Sequence, residues 1–259
     1  MKPGRVSEGR KGMHFWLAVG TLWRRDLVRF WREKARVLGY VGSPLVFWLL
    51  IGSGFGDLAF FFPGALVLTV MFSAAFSTMS LIEDRREGFL LSMLVSPAPR
   101  SSMVLGKILG SSTLAWIQGV VFLCFLPATG YWPGAAGILG AAAVIFLIAF
   151  TFTVLGFAIA WQMDSTQGFH AVMNLVLLPL WLVSGALFPI ASAHGWVQWL
   201  MRLNPVTYTV AALRQSLERG AAAGVPPLST SVLVTAAFAI LLFAASTMFA
   251  RRTSAGSFA

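Results

Sequence analysis

The chain has 259 residues, 58% of them hydrophobic and only 11% charged, where a soluble domain carries about 25% charged residues. That composition excludes an ordinary soluble enzyme and points to a membrane protein. The net charge of +10 raises the question of nucleic acid, and its placement answers it, as shown below.

Residues 1–12 are polar. From residue 14 to 34, Phe15, Val19, Leu22, Trp23, Leu27 and Phe30 recur at helical spacing while Arg25, Arg29 and Arg32 take another face. This pattern predicts an amphipathic helix lying in the membrane interface. It does not suit a cleaved signal peptide, because the apolar run is short and no small-residue site closes it. Six apolar runs of about 20 residues follow, at roughly 38–56, 61–82, 104–129, 135–160, 170–191 and 229–250. The lone Cys124 falls in the third run and reads as a small buried residue. Sixteen of the nineteen Lys and Arg lie before the first run, between the second and third or at the very start of the third (Lys107), or after the sixth. An even number of spans places these segments on one side, the cytoplasmic one, with both termini. The charge is thus a topology signal and implies no nucleic-acid partner.

All nine Asp and Glu fall outside the span cores, so an ion-coupled transporter built on intramembrane carboxylates is disfavoured. Lys107 is preceded by Gly106 but followed by Ile108, without the glycine-rich loop of a nucleotide site. No metal-ligand or cofactor motif stands out. A driving force would come from another polypeptide.

The loop after the second run holds Glu83, Asp84, Arg85, Arg86, Glu87 and Gly88, then Phe89, Met93 and Leu94 before Pro97 and Pro99. Its apolar residues can form one face of a short helix that docks in a partner's groove or rests on lipid, and its charges can form a solvated face. The fifth run contains Asn174 and Pro179; Pro179, placed near mid-membrane, predicts a kink. Asn174 in hydrocarbon needs a partner. Ser77 of the second run and Gln118 of the third are further polar candidates for helix packing or a pathway. Beyond the fifth run, Trp196, Trp199, Leu200 and Leu203 suggest a short amphipathic helix. Asn204-Pro205 then turns the chain, with Asn204 able to cap the next helix.

Residues 83–88 with Ser96-Pro97-Ala98-Pro99-Arg100 and Leu105-Gly106-Lys107 resemble the cytoplasmic loop of type-2 ABC exporter permeases. Ser184-Gly185-Ala186-Leu187-Phe188-Pro189 resembles the family's "S-G-x-x-F-P" stretch, Asn204-Pro205-Val206-Thr207-Tyr208 its "N-P-x-T-Y" stretch, and Leu213-Arg214 the "L-R" that follows. Pro63-Gly64 also matches. The resemblance covers roughly residues 35–252.

It implies an all-α polytopic membrane protein with six transmembrane helices, an N-terminal interfacial helix, and short re-entrant outer helices between spans five and six. The expected organisation is a tail and interfacial helix at 1–36, a permease domain at 37–252 and a C-terminal tail at 253–259, in a bacterial-type inner membrane. Glu83, Asp84, Arg85, Arg86, Glu87, Gly88, Phe89 and Met93 would form the ATPase-coupling loop. Ser184, Gly185, Phe188, Pro189, Asn204, Pro205 and Tyr208 would form the outer gate. The chain would act as a transport subunit and not as an enzyme, binding no cofactor itself, with ATP and Mg on two copies of an ABC ATPase. A second permease, identical or homologous, and membrane lipid complete the expected partners. The substrate would be amphipathic or lipid-linked: drug, lipid, glycolipid or polysaccharide. An ATP-independent channel or scaffold is the alternative. A serine hydrolase with Ser184 as nucleophile and His170 or His194 as base is disfavoured: His170 lies roughly 20 Å down the same helix, and Pro189 and Gly195 leave the placement of His194 unfixed by the sequence.

Overall fold

The computed structural model describes residues 4–32, 34–89, 99–217 and 225–252. Every regular element among them is helical. In chain order these are α1 (Gly4–Arg32), α2 (Lys34–Phe55), α3 (Leu58–Ser77), α4 (Ser80–Arg86) and α5 (Arg100–Leu123). A 3-10 turn (Leu126–Thr129) leads to α6 (Gly134–Ala160) and α7 (Thr166–Leu182). A second 3-10 turn (Ile190–Ser192) precedes α8 (Gly195–Leu203), α9 (Pro205–Leu217) and α10 (Leu228–Arg252).

A helix lies at each of the six apolar runs. Among the described residues, four stretches are long and apolar enough to cross a membrane: Leu58–Arg86, Arg100–Leu123, Gly134–Ala160 and Leu228–Phe249. The apolar described part of α2, Gly42–Phe55, is shorter. The fifth run, read as 170–191, ends as a helix at Leu182. Gly185 at φ +84° then reverses the chain, in a region of backbone space that side chains disfavour. Pro179 therefore sits in the last turn of α7 and not at its middle.

The core is built around α3, which packs against α2, α5, α6, α7 and α9. Leu66, Val67, Val70, Met71, Ala74 and Ala75 on α3 are fully buried. Asp57 starts this helix by accepting the Phe60 N–H at 2.8 Å, a side-chain cap of the usual kind. Near that end, Trp48 of α2 sits 5.2 Å from Phe62 of α3, and Phe62 lies 5.4 Å from Phe122 of α5. Each such aromatic pair contributes about 0.5–1.5 kcal/mol beyond area burial. The Trp48 indole also donates to the Leu58 carbonyl at 2.9 Å. Helix α10 lies outside, on α6 and α9, and leaves Leu233, Ile240 and Leu241 exposed.

Two ends of the bundle matter below. The charged end carries α4, the start of α5 and the α6–α7 turn; the opposite end carries the start of α3 and the C-terminus of α9. Cys124, expected buried, is exposed at the end of α5. It falls on the outward side of its helix, next to the buried Phe122 and Leu123.

Candidate functional site

At the charged end, residues expected on a solvated loop are instead held in a buried ion cluster. The α1 face that packs on α5 carries Val19, Leu22 and Asp26, all buried. Asp26 binds Lys107 of α5 at 3.1 Å, and Lys107 Nζ lies 2.5 Å from Asp84 of α4. The side chains of Asp26, Lys107 and Asp84 are 5%, 4% and 0% exposed, so Lys107 bridges two carboxylates out of water. Arg25 and Arg29 of α1 pair with Asp84, and Arg29 reaches Glu83 at 2.8 Å. Burial raises the Asp26 carboxyl above its usual range, against the lowering effect of Lys107. The Arg25 guanidinium covers the Phe89 ring at 3.6 Å.

The other half of the same short helix faces away from α1. Arg85 donates to the carbonyls of Trp161 and Met163 at 2.6 and 3.0 Å, and pairs with Asp164 at 2.6 Å. Arg86 donates to the Asp164 carbonyl at 2.8 Å. The two arginines therefore clip α4 to the turn that starts α7, where Ser165 accepts the Gly168 N–H as helix cap. Glu87 is exposed, and Gly88 takes φ +74° to leave the helix. Met93 and Leu94 lie outside the described residues.

At the opposite end, Asn204 joins two helices. Its amide nitrogen donates to the carbonyls of Leu180 and Val183 at 2.6 and 2.8 Å, at the end of α7. Its oxygen accepts the Val206 N–H at 2.9 Å, capping α9, which Pro205 begins. The expected capping role is thus present, together with a second cap on a distant helix. The Ser184–Pro189 loop is pressed against α3: a Cβ on Gly64 would stand 2.7 Å from Ala186 Cβ and 3.0 Å from its Cα. The Gly64 carbonyl also accepts the Trp181 indole N–H at 2.8 Å. The Pro63-Gly64 signature is therefore the seat of this loop.

Ser184, Gly185 and Pro189 line a small pocket with residues of α9. The Ser184 hydroxyl donates to the Trp181 carbonyl at 2.6 Å. Phe188 is half-buried in the loop, while Tyr208 turns back to the Arg202 carbonyl at 2.9 Å. Arg214 belongs to the Leu213-Arg214 signature but is not among the site residues expected from the sequence, where it falls on a helix of the outer segment; in the fold it is buried on α9.

The three polar pathway candidates are not brought together. Asn174 is exposed on α7, one turn from Leu178. Leu178 lines a groove of about 470 Å³ with Gly39 and Pro44 of α2 and with Leu68, Phe72 and Phe76 of α3. Ser77, beside Phe76, donates to the Ser73 carbonyl at 2.7 Å. Gln118 is buried in α5 outside that groove, and neither amide atom has a partner among the described residues.

Comparison with known proteins follows the same lines. A family model described as "ABC-2 type transporter" matches residues 18–217. A protein named putative transport permease ycf38, of Cyanophora paradoxa, is 28% identical over 205 residues, covering 74% of this chain and 71% of its own length. Nodulation protein J of Rhizobium leguminosarum bv. trifolii is 27% identical over 213 residues, covering 77% and 79%. Nodulation protein J of Rhizobium meliloti (strain 1021) is 25% identical over 213 residues, covering 77% and 79%.

Proposed function

Because the chain belongs to the ABC-2 type transporter family, and so is a multi-pass membrane transport subunit, we propose that it is the six-span permease of an ATP-driven exporter. In this reading α2, α3, α5, α6, α7 and α10 cross a bacterial-type cytoplasmic membrane, and α1 lies in the interface. The charged end is cytoplasmic, following the bias of basic residues, and both termini lie there. Helix α7, about 25 Å long at 17 residues, falls short of a hydrocarbon core of about 30 Å. The Ser184–Pro189 loop, α8 and α9 then form a re-entrant outer gate.

The observation that carries the proposal is that α7 is clamped at both ends by residues distant in sequence. Arg85 and Arg86 hold the turn at its start, and Asn204 holds its last carbonyls. Two copies of a separate ATPase, binding ATP and Mg, would push on residues 83–94. Helix α4 would carry the motion to α7, and α7 to the gate, while the Asp26–Lys107–Asp84 bridge keeps α1 and α5 in step. Binding energy of the partner for one state shifts the population between inward- and outward-open forms.

The apolar groove between α2, α3 and α7 suits the hydrophobic part of an amphipathic or lipid-linked substrate. Asn174 stands at its cytoplasmic side, and Ser77 lies next to its wall. A second permease, identical or homologous, would cover the α2–α7 face. Gln118 is left out of this pathway.

Purification in mild detergent from native membranes, with mass spectrometry of the co-eluting chains, tests the reading. A stoichiometric subunit with a nucleotide-binding loop is expected. Pure permease without one, where a known exporter survives intact, would favour an ATP-independent channel or scaffold.

A further inference from the structure

The outward faces of α10 and α7 differ in kind. Beyond the first turn of α10, the exposed described residues are Leu233, Ala237, Ile240, Leu241, Ala244 and Met248. Its buried hydroxyls are turned inward and bonded: Thr235 donates to the Ser231 carbonyl and Ser246 to the Leu242 carbonyl, each at 2.8 Å. This is how a helix meets lipid, because a polar group aimed into hydrocarbon finds nothing to bond.

On α7 the exposed residues include Ala171, Asn174, Leu175, Leu178 and Leu182. They stand at i, i+3, i+4, i+7 and i+11, the spacing of a stripe that packs on another helix. Asn174 lies within the stripe, about 12 Å from the start of the helix, a depth that the six-span reading puts in hydrocarbon. Its amide makes no hydrogen bond among the described residues. An amide carries an acceptor oxygen and two N–H donors, and a lipid tail offers a partner to neither. The α7 stripe therefore calls for a polar partner where the α10 face calls for none.

We propose that a second copy of this chain covers the α7 stripe, with Asn174 hydrogen-bonded to its own counterpart. Two copies inserted in the same orientation are related by a two-fold axis along the membrane normal. Two α7 helices that meet at that axis run parallel and set each residue opposite itself. An amide is complementary to itself in this arrangement, since each donates an N–H to the other's oxygen; a charged residue there would repel its twin. Leu175, Leu178 and Leu182 surround the pair with apolar contact, and α2 extends the surface with the exposed Val46 and Leu50. The inference rests on the six-span permease reading and names its second permease as an identical copy.

The test is cysteine cross-linking of the full chain in native membranes, in a Cys124→Ala background. On oxidation, Leu175→Cys and Leu178→Cys should each give a disulfide-linked product of twice the chain's mass, and Ile240→Cys on α10 should give none. Mass spectrometry of the product should find this chain in both halves. Asn174 holds nothing within its own chain, so Asn174→Leu leaves the fold intact. Added to Leu178→Cys, it should slow cross-linking about fivefold, while Asn174→Gln, which keeps the amide, should retain most of the parent's rate.

A product whose second half is a different chain would give the face to a homologous permease and overturn the proposal. Failure of both α7 positions to cross-link, equal cross-linking of Ile240→Cys, or an unchanged rate in Asn174→Leu would also overturn it. Each of these leaves the exporter reading standing, which falls only if no ATPase partner co-purifies.

Discussion

Lys107→Met removes the charge that bridges two buried carboxylates while keeping the apolar stem. Asp84 retains Arg25 and Arg29, whereas Asp26 loses its 3.1 Å partner and is left charged in a site that already disfavours charge. Removing one member of a buried ion pair costs about 3–5 kcal/mol, because the remaining charge is uncompensated. At about 2–4 °C per kcal/mol for chains of this size, the melting temperature should fall by roughly 10 °C. Tryptophan fluorescence of the detergent-purified chain during heating reads it. Adding Asp26→Asn to Lys107→Met removes the stranded charge and should restore about half of the loss. A Lys107→Met melting temperature within about 2 °C of the parent, or a double variant no better than the single, would refute the view that Lys107 ties α1 and α4 to α5.

Asp26→Asn also has a pH signature. A carboxyl whose pKa is raised in the folded state favours folding at low pH, and that contribution is lost as pH rises through the folded value. The melting temperature of the parent relative to Asp26→Asn should therefore increase as pH drops from neutral; a constant difference would contradict the burial argument. Asn204→Leu removes the caps of two helices and should cost about 2–4 kcal/mol, seen in the same melting assay. In a Cys124→Ala background, Ser184→Cys should resist a water-soluble maleimide, since Ser184 is buried. Adding Gly64→Val, which collides with Ala186, should make it react.

The apolar runs revealed the helices because a long apolar stretch marks the element whether it packs in the core, as α3 does, or lies outside, as α10 does, and the capping residue Asn204 could be read in place. Less legible were features made by partners far apart in sequence. Nothing within residues 170–191 says that Asn204 will close α7 at Leu182, so the apolar run outlasts the helix. Glu83 and Asp84 look like a solvated face until α1 brings Arg25 and Arg29 over them, more than 50 residues away in sequence. Lys107 reads as half of a chance dipeptide, although its burial between Asp26 and Asp84 makes it central to the charged end. The signatures Pro63-Gly64 and Ser184–Pro189 stand more than 100 residues apart in the sequence, and their meaning is the contact between them.

The central claim is that α4 drives the outer gate through α7, and labelling of Ser184→Cys in the complex with its ATPase, in a Cys124→Ala background, tests it most directly. The account predicts maleimide labelling that depends on ATP, and its loss when Arg85→Ala releases the α6–α7 turn while ATP hydrolysis continues. Labelling indifferent to ATP, or ATP-dependent labelling unchanged in Arg85→Ala, would contradict it.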